Sequence, residues 1–375
     1  MSQTPHLTSL ADALTAKKGF NLDMIIGLDG FVDEIVHLVD KRQDYANFTR
    51  IPTIAEWGAR ISRAAGLSTN MEMVTVQTKL GGNGPILSNA LLEYGVKLTY
   101  VGNLGVPDIH PVFKPMAEKA KAVYSLANPG HTDAAEFEDG KVMLGKHFTL
   151  KEITWDAMKN AMGGAAGIAK MADECDLFGM ENWTMLPHMS SIWQGMIDEM
   201  FPLMKDQPTK PLAFFDLADP EKRTKEDILA AMKLIGKFEA KFRAILGLNE
   251  KELYEIADVF GVKVADNLEA STQAVFKELG IYCLMVHPVH TACCVVGGQY
   301  YDVSGPYCAK PVLTTGAGDN LNSGFCLGMA LGLEPLQSLL LGVATSGFYV
   351  RNAHSPTFDQ VINFIKDWAN GKVPE

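Results

Sequence analysis

Residues 312–325 read Val-Leu-Thr-Thr-Gly-Ala-Gly-Asp-Asn-Leu-Asn-Ser-Gly-Phe, and the rest of the chain is organised around this stretch. Gly316, Ala317 and Gly318 are small, so the backbone there can come close to a ligand. The apolar segment 325–333 that follows is typical of a buried helix, which would place the glycines at a helix N-terminus. Free N–H groups and the helix dipole make such an N-terminus a site for an anion.

Asp319 is the unusual residue of this stretch, because a bound anion would repel a carboxylate beside it. Its position therefore indicates proton chemistry. A carboxylate here could take the proton from an attacking hydroxyl group while backbone N–H groups hold a phosphoryl group. The alternative is a tight turn without function, since Gly-x-Gly often precedes an apolar helix. Motifs elsewhere in the chain are needed to choose between the two interpretations.

The composition is that of a globular protein long enough for one large α/β domain or two smaller ones. The chain has 375 residues, of which 47% are hydrophobic and 21% charged. Its net charge of −11 argues against nucleic acid and anionic membranes as partners. A small phosphorylated ligand remains compatible with this charge, because local N–H groups can bind one inside an acidic protein.

The remaining features of composition indicate a cytoplasmic protein. The six cysteines form no Cys-x-x-Cys motif, and we expect buried thiols in a reducing compartment. Residues 1–10 show no secretory signal. Residues 320–350 contain a single charge, Glu334, but interrupting polar residues and the break at 331–335 favour two core helices over a membrane span.

Two carboxylates follow the first predicted strand, residues 22–28. Asp29 comes directly after this strand, and Asp33 lies four residues further on. In open α/β sheets, ligands bind just outside the carboxyl ends of the strands, so both residues are candidates for substrate binding. A solvated turn combined with a helix cap explains them equally well.

A pair of glycines precedes the next predicted helix, residues 86–94. Gly81 and Gly82 again allow close approach of the backbone to a ligand. Asn83, which follows them, can both donate hydrogen bonds to hydroxyl groups and accept bonds from them. These three residues are therefore further candidates for substrate binding.

Beyond residue 149 the pattern alternates regularly between helix and strand, which predicts a parallel sheet with helices on both faces. Two blocks interrupt this rhythm, 34–80 and 131–148, and we interpret them as a lid. Segment 34–39 would be an exposed strand of that lid. The core would then comprise residues 1–33, 81–130 and 149–375. The elements predicted after 149 are helices 154–173, 190–204, 225–240, 251–260 and 268–279, strands 176–179, 212–216, 243–248 and 281–286, and a hairpin of 291–296 with 299–303.

Asn249 and Glu252 follow the strand 243–248. Asn-x-x-Glu is good capping chemistry for the next helix, so a structural role explains both residues by itself. The functional alternative places Glu252 near a phosphate-bound Mg²⁺, with water between them, because Mg²⁺ keeps much of its hydration shell.

Together these motifs resemble those of the PfkB (ribokinase-like) carbohydrate kinase family. Each motif is weak alone, but their order, their spacing and their positions at strand ends make the set specific. The resemblance extends over residues 22–370, nearly the whole chain. The three blocks that carry it are Gly81-Gly82-Asn83 with Tyr94-Gly95 and 101–105, then Asn249-x-x-Glu252, then 314–319 with 323–325.

The resemblance implies a Rossmann-like, doubly wound, mostly parallel core with a small β-rich lid. It also implies a role for each matching position. Asp319 is similar to the family's catalytic base, and Gly316, Ala317 and Gly318 resemble its anion hole. Residues that match the acceptor site are Asp29, Asp33, Gly81, Gly82 and Asn83; residues that match the phosphate and Mg²⁺ motifs are Asn249, Glu252 and Thr315.

Three departures from the family pattern indicate a divergent subgroup. Leu313 stands where members often carry an Asp that helps to bind a monovalent cation, which argues against K⁺ activation. Ile86 replaces an Asn that is frequent in the first signature. Residues 287–290, His-Pro-Val-His, replace the usual Thr-x-Gly turn, so contacts to the nucleotide's base and ribose would differ.

The resulting hypothesis is ATP-dependent phosphorylation, with Mg²⁺, of a hydroxymethyl group on a sugar or sugar-like small molecule. One alternative is a nucleoside kinase of the same fold, and another is a non-catalytic sugar sensor. A Rossmann dehydrogenase is disfavoured, because no Gly-x-Gly-x-x-Gly follows the first strand. By analogy with the fold, an open strand edge in the lid would favour a homodimer.

Overall fold

The structure is a computed structural model that describes residues 3–263 and 267–374. The few other residues of the predicted core, 1–2, 264–266 and 375, lie outside the described part. The strands are β1 (Asp23–Leu28), β2 (Phe31–Arg42), β3 (Phe48–Arg50), β4 (Met73–Gly81), β5 (Lys97–Gly102), β6 (Ala122–Ser125), β7 (Gly130–Phe137), β8 (Gly140–Lys146), β9 (Leu177–Met180), β10 (Leu212–Asp216), β11 (Arg243–Leu248), β12 (Cys283–Val286), β13 (Thr291–Val296) and β14 (Gln299–Ser304).

Helices cover most of the remaining chain. The α-helices are α1 (Thr4–Ala16), α2 (Ile54–Arg63), α3 (Asn83–Glu93), α4 (Lys114–Lys119), α5 (Trp155–Met162), α6 (Gly164–Glu174), α7 (Met189–Gly195), α8 (Lys225–Lys237), α9 (Glu250–Phe260), α10 (Leu268–Leu279), α11 (Ala317–Ala330), α12 (Pro335–Asn352) and α13 (Phe358–Ala369). Short 3₁₀ segments occur at Pro111–Phe113, Phe148–Glu152, Phe201–Leu203, Pro220–Lys222 and Phe238–Ala240, and a π-helical turn at Met196–Met200.

The larger sheet has the order β14-β13-β12-β11-β10-β9-β1-β5-β6. Seven of these strands run parallel, in the order β12-β11-β10-β9-β1-β5-β6. Strands β13 and β14 add an antiparallel hairpin at the edge. Parallel strands require crossover helices, and these cover both faces of the sheet. The predicted doubly wound α/β fold is therefore confirmed.

Each face of this sheet has its own hydrophobic core, because neighbouring residues of a strand point to opposite faces. In β1, Ile25 packs into one core with Phe178 and Phe215. Met24 and Ile26 pack into the other. The strands are buried on both sides, so their sequences are continuous apolar runs rather than alternating ones.

The smaller sheet, with helix α2, forms a second body that we call the lid. Within the described residues it has the order β3-β2-β7-β8, and β4 also pairs with β2. The expectation that 34–39 is an exposed strand is wrong, because β2 pairs with β4 on one side and β7 on the other and is largely buried. Its residues Val36 and Leu38 pack in a small core with Phe137.

The lid joins the larger sheet through short connections. Asp29 and Gly30 alone separate β1 from β2, and Gly82 alone separates β4 from α3. The carboxyl end of β1 and the N-terminus of α3 therefore lie directly beneath the lid.

Helices α11 and α12 pack closely because small residues meet at their interface. A side chain at Gly324 would lie 2.4 Å from Thr345 Oγ1, and one at Gly328 would lie 2.8 Å from Ser338 Cα. This contact fixes α11 against α12. The bounds of the two helices confirm the prediction of two core helices in 320–350. No helix in the described ranges combines the length and the apolar character needed to span a membrane.

Candidate active site

A cavity of about 540 Å³ lies between the carboxyl ends of the parallel strands and the lid. Three helix N-termini converge on it, those of α3, α9 and α11. Of the residues predicted for the site, those that line it are Asp33, Gly82, Asn83, Asn249, Glu252, Thr315, Gly316, Gly318 and Asp319. The three separate sequence motifs are thus brought together at one place.

Asp319 lies in the first turn of α11, whose N-cap is Gly316. Gly316 has φ +88°, a conformation that favours glycine. The Asp319 side chain is almost buried, with 8% of the residue exposed. Burial raises the pKa of its carboxyl group to about 8, and repulsion by Asp29 adds to this rise. A group that changes charge near pH 8 is suited to accept a proton at neutral pH.

Asn83 connects three of the acidic side chains. Its backbone N–H donates to Asp29 Oδ2 at 3.0 Å. Its side-chain amide donates to Asp319 Oδ1 at 3.1 Å and, more weakly, to Asp216 Oδ1 at 3.4 Å. The first residue of α3 thereby holds the carboxylate at the start of α11, and the bond partly opposes the rise in its pKa.

Asp29 does not line the cavity. It is fully buried, and its carboxylate accepts bonds from the N–H of Gly84 at 2.9 Å and the side chain of Asn182 at 2.8 Å, besides that of Asn83. Burial raises its pKa to about 6. Asp29 therefore satisfies the free N–H groups at the start of α3, as a capping residue does.

Gly81 and Gly82 are small because acidic side chains occupy the adjacent space. A Cβ atom at Gly81 would lie 2.3 Å from Asp33 Cγ, and one at Gly82 would lie 2.9 Å from Asp29 Oδ2. Asp33 accepts a hydrogen bond from the Thr132 side chain, and burial raises its pKa. The glycine pair thus allows one carboxylate to face the cavity and the other to lie behind it.

The predicted capping box at the start of α9 is confirmed. Asn249 Oδ1 accepts from the N–H of Glu252 at 2.9 Å, and Glu252 Oε2 accepts from the N–H of Asn249 at 2.8 Å. The other oxygen of Glu252 accepts from the N–H of Asp219 at 2.9 Å. Both oxygens therefore already have a backbone partner, and each retains a second lone pair for a further donor such as water.

Two acidic groups at the site were not anticipated from the sequence. Asp216, at the end of β10, accepts from Asn83 and from Asn322 Nδ2 at 3.1 Å. Glu181, just after β9, is fully buried, and neither of its oxygens has a hydrogen-bond partner among the described residues. Burial raises the pKa values of Asp216 and Glu181 well above the usual range, and neighbouring carboxylates add to the rise. Their positions just past buried strands were the available signal.

The short turn that precedes α11 is braced by side chains. Tyr349 donates its hydroxyl hydrogen to the carbonyl oxygen of Thr315 at 2.8 Å, and Asn320 donates to that of Gly316 at 2.8 Å. From the lid, Lys141 Nζ donates to Thr315 Oγ1 at 3.2 Å. The N–H of Ala317 donates to the carbonyl oxygen of Thr314 at 3.1 Å, so among the three predicted anion-hole amides this one already has an acceptor.

A second cavity of about 390 Å³ adjoins the first, between the edge hairpin and α12. His287 and Gly318 line both cavities, so the two meet at the start of α11. A Cβ atom at Gly318 would lie 3.3 Å from His287 Cε1. Burial lowers the pKa of His287 to about 4, so its imidazole is neutral at pH 7 and can donate one hydrogen bond.

Comparison with known proteins gives a family and a fold. A family model described as prokaryotic ketohexokinase matches residues 10–368. The ketohexokinase of Haloferax volcanii is 29% identical over 349 residues, which cover 92% of this chain and 91% of that protein.

Solved structures show the same fold at low identity. A mutant of phosphofructokinase-2 from Escherichia coli gives a TM-score of 0.64 at 12% identity and covers 93% of this chain and 99% of its own. The ribokinase of Thermotoga maritima gives 0.59 at 16% identity, with coverages of 92% and 100%.

Proposed function

Because the chain belongs to the prokaryotic ketohexokinase family, we propose that it transfers the γ-phosphoryl group of ATP to a hydroxymethyl group of a ketohexose. The observation that carries the proposal is the position of Asp319. It lies in the first turn of α11, on the wall of the cavity, and is held there by Asn83. The full-length relative named ketohexokinase supports a ketohexose as the acceptor.

Asp319 acts as the general base. Its ionised carboxylate takes the proton of the acceptor hydroxyl as that oxygen attacks the γ-phosphorus atom, and the bond from this phosphorus to ADP breaks. The bond from Asn83 fixes the orientation of the carboxylate. Because burial favours the protonated form of Asp319, the carboxylate gains from accepting the proton.

The turn before α11 stabilises the transferring phosphoryl group. Gly316 and Gly318 line the cavity, and the positive end of the helix dipole points toward it. Backbone N–H groups held in this way stabilise developing negative charge without reorganisation. Lys222 also lines the cavity and adds positive charge to it.

The acceptor binds between Asp33 and Asn83. Both line the cavity, Asp33 from strand β2 of the lid and Asn83 from the start of α3, and their oxygen and nitrogen atoms can bond to sugar hydroxyl groups. Gly81 leaves room for the carboxylate of Asp33, and Gly82 for that of Asp29. We assign Asp29 a different role from the one that the sequence suggested: it anchors the start of α3, and so Asn83, from behind.

ATP occupies the cavity of about 390 Å³ and reaches the central one past His287. Asn249 and Thr315 contact its phosphates. The carboxylate oxygens of Glu252 and Asp216 fit a hydrated Mg²⁺ better than a directly bound one, because the Glu252 oxygens already accept hydrogen bonds from backbone N–H groups. When bound, Mg²⁺ would offset the charge of the phosphate oxygens.

The test is an ADP-release assay on the purified protein with ATP, Mg²⁺ and a panel of ketohexoses, aldohexoses and nucleosides. We expect the highest kcat/KM with a ketohexose and phosphorylated sugar as the product. Transfer to nucleosides alone would overturn the acceptor class. An absence of transfer to every acceptor would overturn the phosphotransferase itself and favour the sugar sensor.

We also propose that two copies of the chain form a homodimer through the lid. The lid exposes apolar side chains on α2 and β4, including Ile61, Met73 and Val76, which are 46–49% exposed. Light scattering coupled to size-exclusion chromatography tests it. A monomeric mass at micromolar concentration would contradict it.

A further inference from the structure

Thr315 is held from two bodies of the protein. Its carbonyl oxygen accepts from Tyr349 of α12, which belongs to the core. Its hydroxyl oxygen accepts from Lys141 of β8, which belongs to the lid. The residue directly before Gly316 is therefore in contact with both the core and the lid.

Lys141, on β8, belongs to the same lid sheet as Asp33, which lies on β2. Its charge lies close enough to Asp33 to stabilise that carboxylate, and its ammonium group is 3.8 Å from Glu136. The Lys141 side chain is 28% exposed, so these interactions are only partly screened. One lysine thus connects the residue proposed to bind the acceptor with the turn proposed to bind the phosphoryl group.

We propose that Lys141 is a positioning residue that couples the lid to the turn at 314–318, through Thr315, so that the turn takes its productive shape when the lid holds an acceptor. This inference rests on the proposed function. To that function it adds a physical link by which binding of the acceptor prepares the phosphoryl site.

The geometry explains why such a link would matter. Gly316 has a positive φ, and a turn built on glycine has many accessible conformations. Bonds from Tyr349 and Asn320 restrain the carbonyl side of the turn, and the bond from Lys141 restrains the hydroxyl side. While the Thr315 oxygen accepts from Lys141, its own hydrogen stays available to donate to a phosphoryl oxygen.

A double-mutant cycle tests the link. Lys141→Met keeps the length of the side chain and removes the ammonium group, and Thr315→Val keeps the shape and removes the hydroxyl group. We expect each variant to lower kcat about tenfold, the usual cost of one charge-assisted hydrogen bond, and the double variant to lower it no further. Lys146→Met is the matched control, since Lys146 lies on the same strand and pairs with Asp133 away from the turn.

A binding measurement separates positioning from a structural role. In the wild type we expect a ketohexose to tighten the binding of a non-hydrolysable ATP analogue about tenfold, measured by calorimetry, and Lys141→Met to abolish this coupling. Melting temperatures should stay within about 2 °C of the wild type. The Lys146→Met control should keep the coupling.

Several results would overturn the link. Additive losses in the cycle would mean that the two side chains act independently. A loss with Lys141→Met but not with Thr315→Val would mean that the lysine touches substrate directly. A wild type that transfers phosphate to no sugar removes the proposed function and this inference with it, whereas an active wild type with additive variants removes the inference alone.

Discussion

Asn83 donates its side-chain amide to the carboxylate of Asp319 at 3.1 Å, although the two residues are 236 positions apart in the chain. The bond joins the start of α3 to the start of α11, and the backbone N–H of Asn83 is itself held by Asp29. Three segments from different parts of the sequence thus fix one acidic side chain. An isolated Gly-x-Gly turn has no such arrangement, so the geometry supports the functional interpretation of the 312–325 stretch.

Asp319→Asn should reduce kcat at least a hundredfold, because a positioned general base contributes about 10²–10⁴ to the rate. The amide keeps the size of the side chain, so the Kd values for ATP and acceptor should change little. The measurements are steady-state kinetics and calorimetry. Asp359→Asn, at an exposed position of α13, is the control. A variant that keeps more than about a tenth of wild-type kcat would show that another group is the base.

The rate and the stability should depend on pH in opposite directions through Asp319. Its pKa is about 8 in the folded protein and 3.8 ordinarily. The base has to be ionised, so kcat/KM should rise with pH and level off above about 8. The folded state prefers the protonated form, so this contribution to stability is complete below pH 3.8 and is lost as the pH rises through 8.

The raised pKa of Asp319 also predicts how the stability of the Asp319→Asn variant depends on pH. Asparagine cannot ionise, so the melting temperature of this variant should exceed that of the wild type by an amount that grows between pH 5 and pH 9. Calorimetric scans at several pH values measure it. A difference that stays constant over this range would refute the raised pKa.

Gly81→Ala should damage acceptor binding selectively. The new methyl group would lie 2.3 Å from Asp33 Cγ, so the carboxylate has to move. A displacement of about 1 Å at a positioned group can cost 10²-fold in rate, and we expect a rise in the acceptor KM with the ATP Kd unchanged. Gly58→Ala is the control, because Gly58 lies in lid helix α2 with open space around it. Equal acceptor KM values for Gly81→Ala and wild type would exclude Asp33 from the acceptor site.

Glu252→Gln distinguishes the cap from the metal site. The new NH₂ group faces a backbone N–H that formerly donated to the carboxylate, so the melting temperature should fall. If Glu252 also holds hydrated Mg²⁺, the Mg²⁺ concentration for half-maximal activity should rise about tenfold. Glu250→Gln, in the same helical turn, removes an equal charge as a control. A lower melting temperature with an unchanged Mg²⁺ requirement would leave Glu252 a purely structural role.

The sequence predicts the architecture well, because parallel strands buried on both faces leave a clear pattern of apolar runs between helices. The resemblance to PfkB carbohydrate kinases is confirmed by the family match, and with it the prediction of a carbohydrate kinase. Helices α1 and α13 were not anticipated. They pack against each other and against α12, and no motif of the sequence marks them.

The motifs predict which segments meet, but they leave the hydrogen bonding between them undetermined. Asp29 and Asp33 look alike in sequence, yet one is buried behind α3 and the other faces the cavity. Whether a carboxylate after a strand points inward or toward a ligand depends on the neighbouring strand and helix. Asp216 and Glu181 were overlooked for the same reason, since no motif marks a single acid at the end of a buried strand.

The one- and two-residue connections between the lid and the sheet have a consequence for how this enzyme could diversify. Gly82 connects lid strand β4 to the core, and Asp29–Gly30 connects the core to lid strand β2. Exchanging the intervening segment 31–81 for that of a relative would replace Asp33 and its surroundings and keep the α11 turn with Asp319. Such a chimera should inherit its choice of sugar from the donor and its phosphoryl chemistry from the recipient.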